Sequence, residues 1–178
     1  VGRGVSGWAP GQRMTLQPNV ACGRCPLCAA GHRNLCRAKV RLGIDAPGVF
    51  AELAAVPAGY AWAVPEDLPD EVAVFTEPLA VVVHAIGLAA PEAGARVLVI
   101  GAGVIGLLAL QLAVGAGAEV TACDLTPARL ELARRLGAAD ALQADTPLEP
   151  YENRFNLIYD TSGAPSALAL ATRLAAPR

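Results

Sequence analysis

The chain has 178 residues, 54% of them hydrophobic, and a formal net charge of −2, enough apolar content for one sizeable core or parts of two. No apolar run reaches the roughly 18 residues of a membrane span without glycine breaks, and residues 97–118 come closest. The charge is uneven: residues 1–44 hold seven arginines and lysines and no acid, whereas residues 45–178 carry seven basic and 16 acidic residues, a net of −9. Such asymmetry marks nucleic-acid binding in some proteins, but the cysteines among these basic residues offer another cause.

Residues 1–20, VGRGVSGWAPGQRMTLQPNV, read as strand, Gly/Pro turn and strand. Nothing near Val1 resembles a signal or transit peptide. The start reads as the middle of a domain, and LALATRLAAPR stops where another parallel strand is expected, so the expectation is an internal fragment. Next come Cys22, Cys25, Cys28 and Cys36, spaced C-x2-C-x2-C-x7-C among Gly, Pro and basic residues. Thiolates two residues apart across tight turns can converge on one tetrahedral ion, and a four-cysteine shell leaves no open position, so such a metal is structural. Four thiolates around zinc carry a net of −2, and Arg24, Arg33, Arg37, Lys39 and Arg41 are expected to favour the thiolate form and offset that excess.

Three rivals to structural zinc stand beside it. Two disulfides are possible arithmetically, although the later chain reads as an intracellular nucleotide-binding domain. An iron–sulfur cluster suits the first three cysteines, but the fourth is seven residues on and Arg37, not proline, follows it. A nucleic-acid zinc ribbon suits the charge but lacks an interleaved aromatic. His32 reads as a solvated loop residue, and Cys123 as a buried small apolar side chain.

Residues 48–57 (GVFAELAAVP) alternate loosely as a strand, a polar proline-bearing turn runs over 65–71, and helices are predicted over 72–75 and from Pro78 to about Leu88. Residues 96–124, RVLVIGAGVIGLLALQLAVGAGAEVTACD, then read as strand, glycine turn, helix and second strand ending in an acid. Gly101 allows a sharp turn, Gly103 lets the backbone approach a pyrophosphate, and Gly106 lets the helix pack closely. The N–H groups of a helix starting near Val104 would face a diphosphate. Asp124, 18 residues after Gly106, is placed to accept hydrogen bonds from adenosine ribose hydroxyls and to repel a 2′-phosphate, which favours NAD over NADP. The structural alternative is a buried strand and helix using glycine only for close packing.

After Asp124, Thr126 is expected to cap and Pro127 to start a helix with Leu130, Ala133 and Leu136 toward the sheet and Glu131, Arg134 and Arg135 toward water. Arg129 is placed either beside the adenine or in solvent. Strands are predicted over 140–142 and 155–159, and DTSG at 160–163 falls at a carboxyl-terminal strand end, where open parallel sheets bind ligands.

The blocks CGRCPLCAAGHRNLC, GVFAELAAVP, EPLAVVVHA, VLVIGAGVIGLLALQLA and CDLTPARLELARRLGA, in this order, resemble the zinc-dependent medium-chain alcohol and polyol dehydrogenases over nearly the whole chain. The resemblance implies an α/β chain: a partial GroES-like catalytic domain over 1–77, with a zinc lobe at about 20–42, then a partial Rossmann doubly wound parallel sheet over 78–178. It implies that Cys22, Cys25, Cys28 and Cys36 bind the lobe zinc. It also implies that Gly101, Gly103, Val104, Ile105, Gly106, Asp124 and Arg129 belong to the NAD site, and it brings the DTSG loop near the cofactor. Family members hold a second, catalytic zinc in the cleft between their domains. Glu77, before Pro78 at a helix start, resembles the polyol-dehydrogenase glutamate that ligates that zinc. The bland reading of Glu77 is an acid stabilised by the helix dipole. His84 is expected to be packed and hydrogen-bonded.

The family's early cysteine and Gly-His-Glu block cannot be placed on this sequence, which leaves Glu77 an orphan ligand. The implied function is hydride transfer between NAD and an alcohol, polyol or sugar hydroxyl. The implied setting is cytoplasmic and homo-oligomeric, as dimer or tetramer, with a small-molecule substrate and without nucleic acid or membrane. The alternative is a non-catalytic zinc- and nucleotide-binding module.

Overall fold

The structure is a computed structural model and describes residues 1–177. It divides into two compact units, one spanning Val1–Glu77 and one starting at Pro78.

The first unit is built from short pieces: β1 (Met14–Leu16), β2 (Asn19–Val20), α1 (Pro26–Ala29), β3 (Val40–Arg41), β4 (Ala61–Ala63) and α2 (Asp70–Ala73). β1 pairs antiparallel with β4, and β2 with β3. Arg13 ties the end of this unit to its start, donating to the Asp70 carboxylate and to the Leu68 carbonyl at 2.6 Å. Two predicted strands are not there. Residues 1–8 form turns, because Gly4 and Gly7 adopt the left-handed conformation that breaks an extended run. Residues 48–57 are irregular, with Phe50 and Leu53 fully in solvent, since an alternating segment forms a strand only when a partner covers its apolar face. α2 starts at Asp70, not Val72, placing Asp70 and Glu71 in the first turn, where the helix dipole favours acids. Among the described residues, the buried apolar side chains of this unit are Ala21 and Cys36.

α3 (Thr76–Leu88) begins at the division between the units. The second unit continues with β5 (Arg96–Ile100), α4 (Val104–Gly115), β6 (Glu119–Asp124), α5 (Pro127–Arg135), β7 (Asp140–Gln143), β8 (Leu157–Asp160) and α6 (Pro165–Leu174). The four strands form one parallel sheet in the order β7-β6-β5-β8. Chain order reverses at β5, so the carboxyl ends of β5, β6 and β8 surround a topological switch point. β5 is apolar on both sides because both of its faces are covered. Val97 and Val99 pack with Leu110 and Ala113 of α4 and Leu130 and Ala133 of α5. Leu98 and Ile100 pack with Cys123, Phe155 and α6 residues Ala167 and Leu174. Register fixes the ends: Ile100 lies opposite Cys123 of β6 and Asp160 of β8. The last strand starts at Leu157, not Phe155; Phe155 is a buried core side chain bridged to Ala175.

Residues 97–118 are divided among β5, a turn and α4, and the segment long and apolar enough to cross a bilayer, by length and composition alone, is Asp70–Leu88. Asp70, Glu71, Glu77 and Pro78 interrupt its apolar run in sequence.

Candidate functional site

The cysteine loop is built by one short helix and two turns. Cys25 is the N-cap of α1 with Pro26 at its first position, so a single helical turn brings Cys28 back beside Cys25, with the sulfurs 3.5 Å apart. Cys36, at the end of a 3-10 turn over Arg33–Leu35, reaches within 3.9 Å of the Cys25 sulfur and accepts the Cys22 N–H at 3.4 Å. All four sulfurs lie within 4.8 Å of one another. A tetrahedral zinc with bonds of about 2.3 Å sets its sulfurs about 3.8 Å apart, so the donor set fits one zinc ion. The cysteines are free thiols, and convergence on one point is the geometry of a single ion.

The thiols differ in acidity. The backbone N–H groups of Arg24 and Cys25, with the Cys36 thiol, lower the Cys22 pKa to about 6. Burial, with hydrogen bonds that its thiol donates to the neighbouring sulfurs, pushes Cys28 up to about 11. Backbone N–H groups, and not the guanidinium charges expected from sequence, thus favour the Cys22 thiolate. Several cations are engaged elsewhere: Arg41 pairs with Asp45 at 2.7 Å, Lys39 donates to the Asn34 carbonyl, and Arg33 lies over the Tyr60 ring. His32 is exposed and outside the sulfur cluster.

The second site lies at the carboxyl end of the parallel sheet, as a cleft of about 650 Å³ lined in part by Gly101, Gly103, Asp124, Arg129, Thr161 and Arg173. The three glycines differ in why they are glycine. Gly101 has φ +93, and a Cβ there would sit 2.9 Å from Thr161 Oγ1. A Cβ on Gly106 would overlap the Gly101 carbonyl oxygen and lie 2.8 Å from the same hydroxyl. Gly103 is the N-cap of α4, with ordinary extended backbone and nothing within 4 Å of its Cβ position. Its space is therefore open to a ligand, and the first-turn N–H groups of α4, at Val104, Ile105 and Gly106, have no partner within the helix. This open cradle fits a dinucleotide diphosphate. Val104 and Ile105 themselves expose their side chains, so their contribution is backbone.

Asp124 ends β6 only 8% exposed. Its Oδ2 accepts the Ala102 N–H at 2.7 Å and its Oδ1 accepts the Thr126 N–H at 2.8 Å. Burial pushes its pKa up, but the Thr126 and Ala102 N–H bonds, helped by the Arg129 charge, outweigh it and leave the pKa lowered. Arg129 stands 3.7 Å from Oδ2 with its side chain 56% exposed. Thr126 is the N-cap of α5 but makes no side-chain cap bond; its backbone serves Asp124 instead. Cys123 is buried, and burial with the adjacent Asp124 charge raises its pKa, as for an inert core thiol. In the DTSG loop, Asp160 accepts from the Ser162 N–H and hydroxyl, and Thr161 lines the cleft.

Glu77 and His84 are both exposed on α3, which corrects the packed histidine expected from sequence. Among the described residues, the four cysteines form the one cluster of three or more metal-ligating side chains, so Glu77 has no set of companion ligands there. Sequence reasoning missed the α6 wall of the cleft, where Ser166, Leu170 and Arg173 line it; a helix face two strands downstream carries no local motif.

Residues 1–66 match the family described as alcohol dehydrogenase GroES-like domain, and residues 104–178 match the family described as zinc-binding dehydrogenase. An L-threonine 3-dehydrogenase from Anaeromyxobacter sp. (strain K) is 41% identical over 143 residues, 80% of this chain and 41% of that protein. The crystal structure of galactitol-1-phosphate dehydrogenase from Escherichia coli superposes with a TM-score of 0.91 at 36% identity, covering 99% of this chain and 54% of that one. A short chain alcohol dehydrogenase from Escherichia coli CFT073, complexed with NADH, gives 0.90 at 37% identity, covering 99% and 55%. The chain thus spans about half the length of the relatives it matches.

Proposed function

The chain belongs to the zinc-binding alcohol dehydrogenase family, and from that premise we propose that its protein transfers hydride between NAD and an alcohol, polyol or sugar hydroxyl. The observation that carries the proposal is the cleft at the switch point, with Gly103 open at the start of α4 and Asp124 held at the end of β6. NAD, when bound, supplies the hydride acceptor. The chain's own residues bind and orient. Gly103 and the first-turn N–H groups of Val104, Ile105 and Gly106 receive the diphosphate. Gly101 and Gly106 keep the turn tight enough to do so, and Arg129 flanks the adenosine end.

Asp124 uses one lone pair on each oxygen internally, and a carboxylate has about four acceptor sites, so it retains capacity for ribose hydroxyls. Its negative charge disfavours a 2′-phosphate, hence NAD over NADP. Cys22, Cys25, Cys28 and Cys36 hold a structural zinc, which supplies a cross-link to a unit with few buried apolar side chains. Glu77 is assigned, by resemblance, to a catalytic zinc whose other ligands lie outside this chain.

The same reading includes a cytoplasmic setting and a homo-oligomer, dimer or tetramer, without nucleic acid or membrane. The engagement of Arg33, Lys39 and Arg41 within the chain supports the absence of a nucleic-acid role. A non-catalytic zinc- and nucleotide-binding module is the second reading, favoured by the solitary Glu77. The test is NADH formation at 340 nm by the intact protein across a panel of polyols, sugar phosphates, hydroxy amino acids and simple alcohols. Turnover with one class is expected. NADH binding with one zinc and no turnover supports the module, and no binding of NADH or NADPH overturns both readings.

A further inference from the structure

The peptide group joining Gly101 to Ala102 is gripped at both ends by side chains from the two strands that flank β5. Its N–H donates to Asp124 Oδ2 at 2.7 Å, from the end of β6. Its carbonyl accepts from Thr161 Oγ1 at 2.9 Å, from the residue just past β8. The same hydroxyl is 3.0 Å from the Ile100 carbonyl, which also takes the Thr161 N–H at 2.8 Å. On the other side, the Gly101 N–H donates to the Cys123 carbonyl at 2.8 Å. The hydroxyl further fills the space that a Cβ on Gly101 or Gly106 would need. Three consecutive backbone groups of the turn are therefore held by the protein's own groups, while nothing stands within 4 Å of the Cβ position of the next residue, Gly103.

We propose that Thr161 and Asp124 form a clamp on the Gly101–Ala102 peptide that presets the diphosphate cradle, with Thr161 acting as a positioning residue for dinucleotide binding. The clamp rests on the dinucleotide reading of the cleft given above. A turn with a left-handed residue has alternative peptide orientations, and rotation of the 101–102 plane would redirect the N–H groups that follow it. Holding the plane from both neighbours removes that freedom in the unliganded protein, so the binding energy of the diphosphate is not spent on ordering the turn. Thr161 touches backbone only at these positions, so its influence is on the cradle's shape. The role needs the hydroxyl and not the methyl group.

The test compares Thr161→Val, which keeps the shape and loses the hydroxyl, with Thr161→Ser, which keeps the hydroxyl, in the intact protein. Affinities for NADH, ADP-ribose and adenosine are measured by calorimetry or ligand-observed NMR. Thr161→Val should weaken NADH and ADP-ribose about tenfold, the scale of one hydrogen bond, and leave adenosine, which lacks the diphosphate, within about twofold. Thr161→Ser should restore the diphosphate ligands to within about threefold of wild type. Equal weakening of all three ligands, or NADH binding by Thr161→Val at the wild-type level, overturns the clamp and leaves the dinucleotide reading intact. Failure of the wild type to bind NADH or NADPH overturns that reading, and the clamp's role with it. Hydrogen exchange of the Ala102 N–H in unliganded wild type needs no variant. Slow exchange supports a preset turn, and exchange as fast as a free loop amide overturns it.

Discussion

Replacing Gly106 by alanine sets two physical effects against each other at one position. Gly106 lies in the first turn of α4, and alanine in a helix is favoured over glycine by about 1 kcal/mol. The added Cβ, however, would overlap the Gly101 carbonyl oxygen and approach the Gly101 carbonyl carbon to 2.9 Å. Ordinary carbon contacts lie at about 3.5–4.0 Å, so the carbon contact alone asks for a separation of roughly 0.6–1.1 Å, and the overlap with the carbonyl oxygen asks for more. Backbone cannot rotate aside as a side chain can, which puts the cost near the upper end of the 1–3 kcal/mol typical of overpacking. The net expectation is a loss of about 2 kcal/mol in urea unfolding of the second unit.

Two alanine variants serve as comparisons. At Gly103 nothing stands within 4 Å and φ is −77. Gly103→Ala should leave stability within about 0.5 kcal/mol but weaken NADH at least about tenfold, because its methyl group occupies the ligand's approach. Gly115, also unobstructed at the far end of α4, should gain up to about 1 kcal/mol on the same change. If Gly106→Ala is as stable as wild type, or more stable, close approach is not what requires glycine there and the reasoning fails.

Metal content is the readout for the cysteine loop. Cys36→Ser should lower the zinc content by about one ion per chain by plasma emission analysis and open residues 20–42 to limited proteolysis, whereas Cys123→Ser should leave the zinc content unchanged. In the cleft, the Asp124 pKa is depressed in the folded protein. Its contribution is therefore fully present above the unfolded value of about 3.9 and is lost as pH falls through the folded value. Asp124→Asn should flatten the decline in urea midpoint between about pH 5 and pH 3, and parallel curves for the two proteins would contradict the assignment.

The second unit was the more legible part of the sequence because its signals are local. RVLVI, the glycines, the helix and EVTACD follow one another without a gap, and the structure places β5, α4 and β6 at those residues. The cysteine loop was legible for the same reason, since its spacing and its turn residues lie within 15 positions. What escaped depends on partners distant in sequence. GVFAELAAVP has strand alternation but no strand to pair with among the described residues. The Thr161 hydroxyl bond to the Gly101 carbonyl spans 60 positions, and no propensity encodes it. The arginines of the loop are visible as charges, but the groups that lower the Cys22 pKa are backbone N–H groups whose direction only the folded loop defines.

The register of β5 against both neighbours makes the sheet a ruler for the cleft. Ile100 is matched to Cys123 on one side and to Asp160 on the other, so Asp124 and Thr161 each arrive one residue further along, level with Gly101. A slip of either neighbour by one residue would carry its gripping side chain about 3.3 Å along the strand and turn it to the opposite face of the sheet. The residues that oppose a slip are therefore the interior ones, Val97, Leu98, Val99, Val120 and Ala122, through their close packing on the two covered faces. Changes made there, several residues from any ligand, should be read out at the glycine turn as well as in stability.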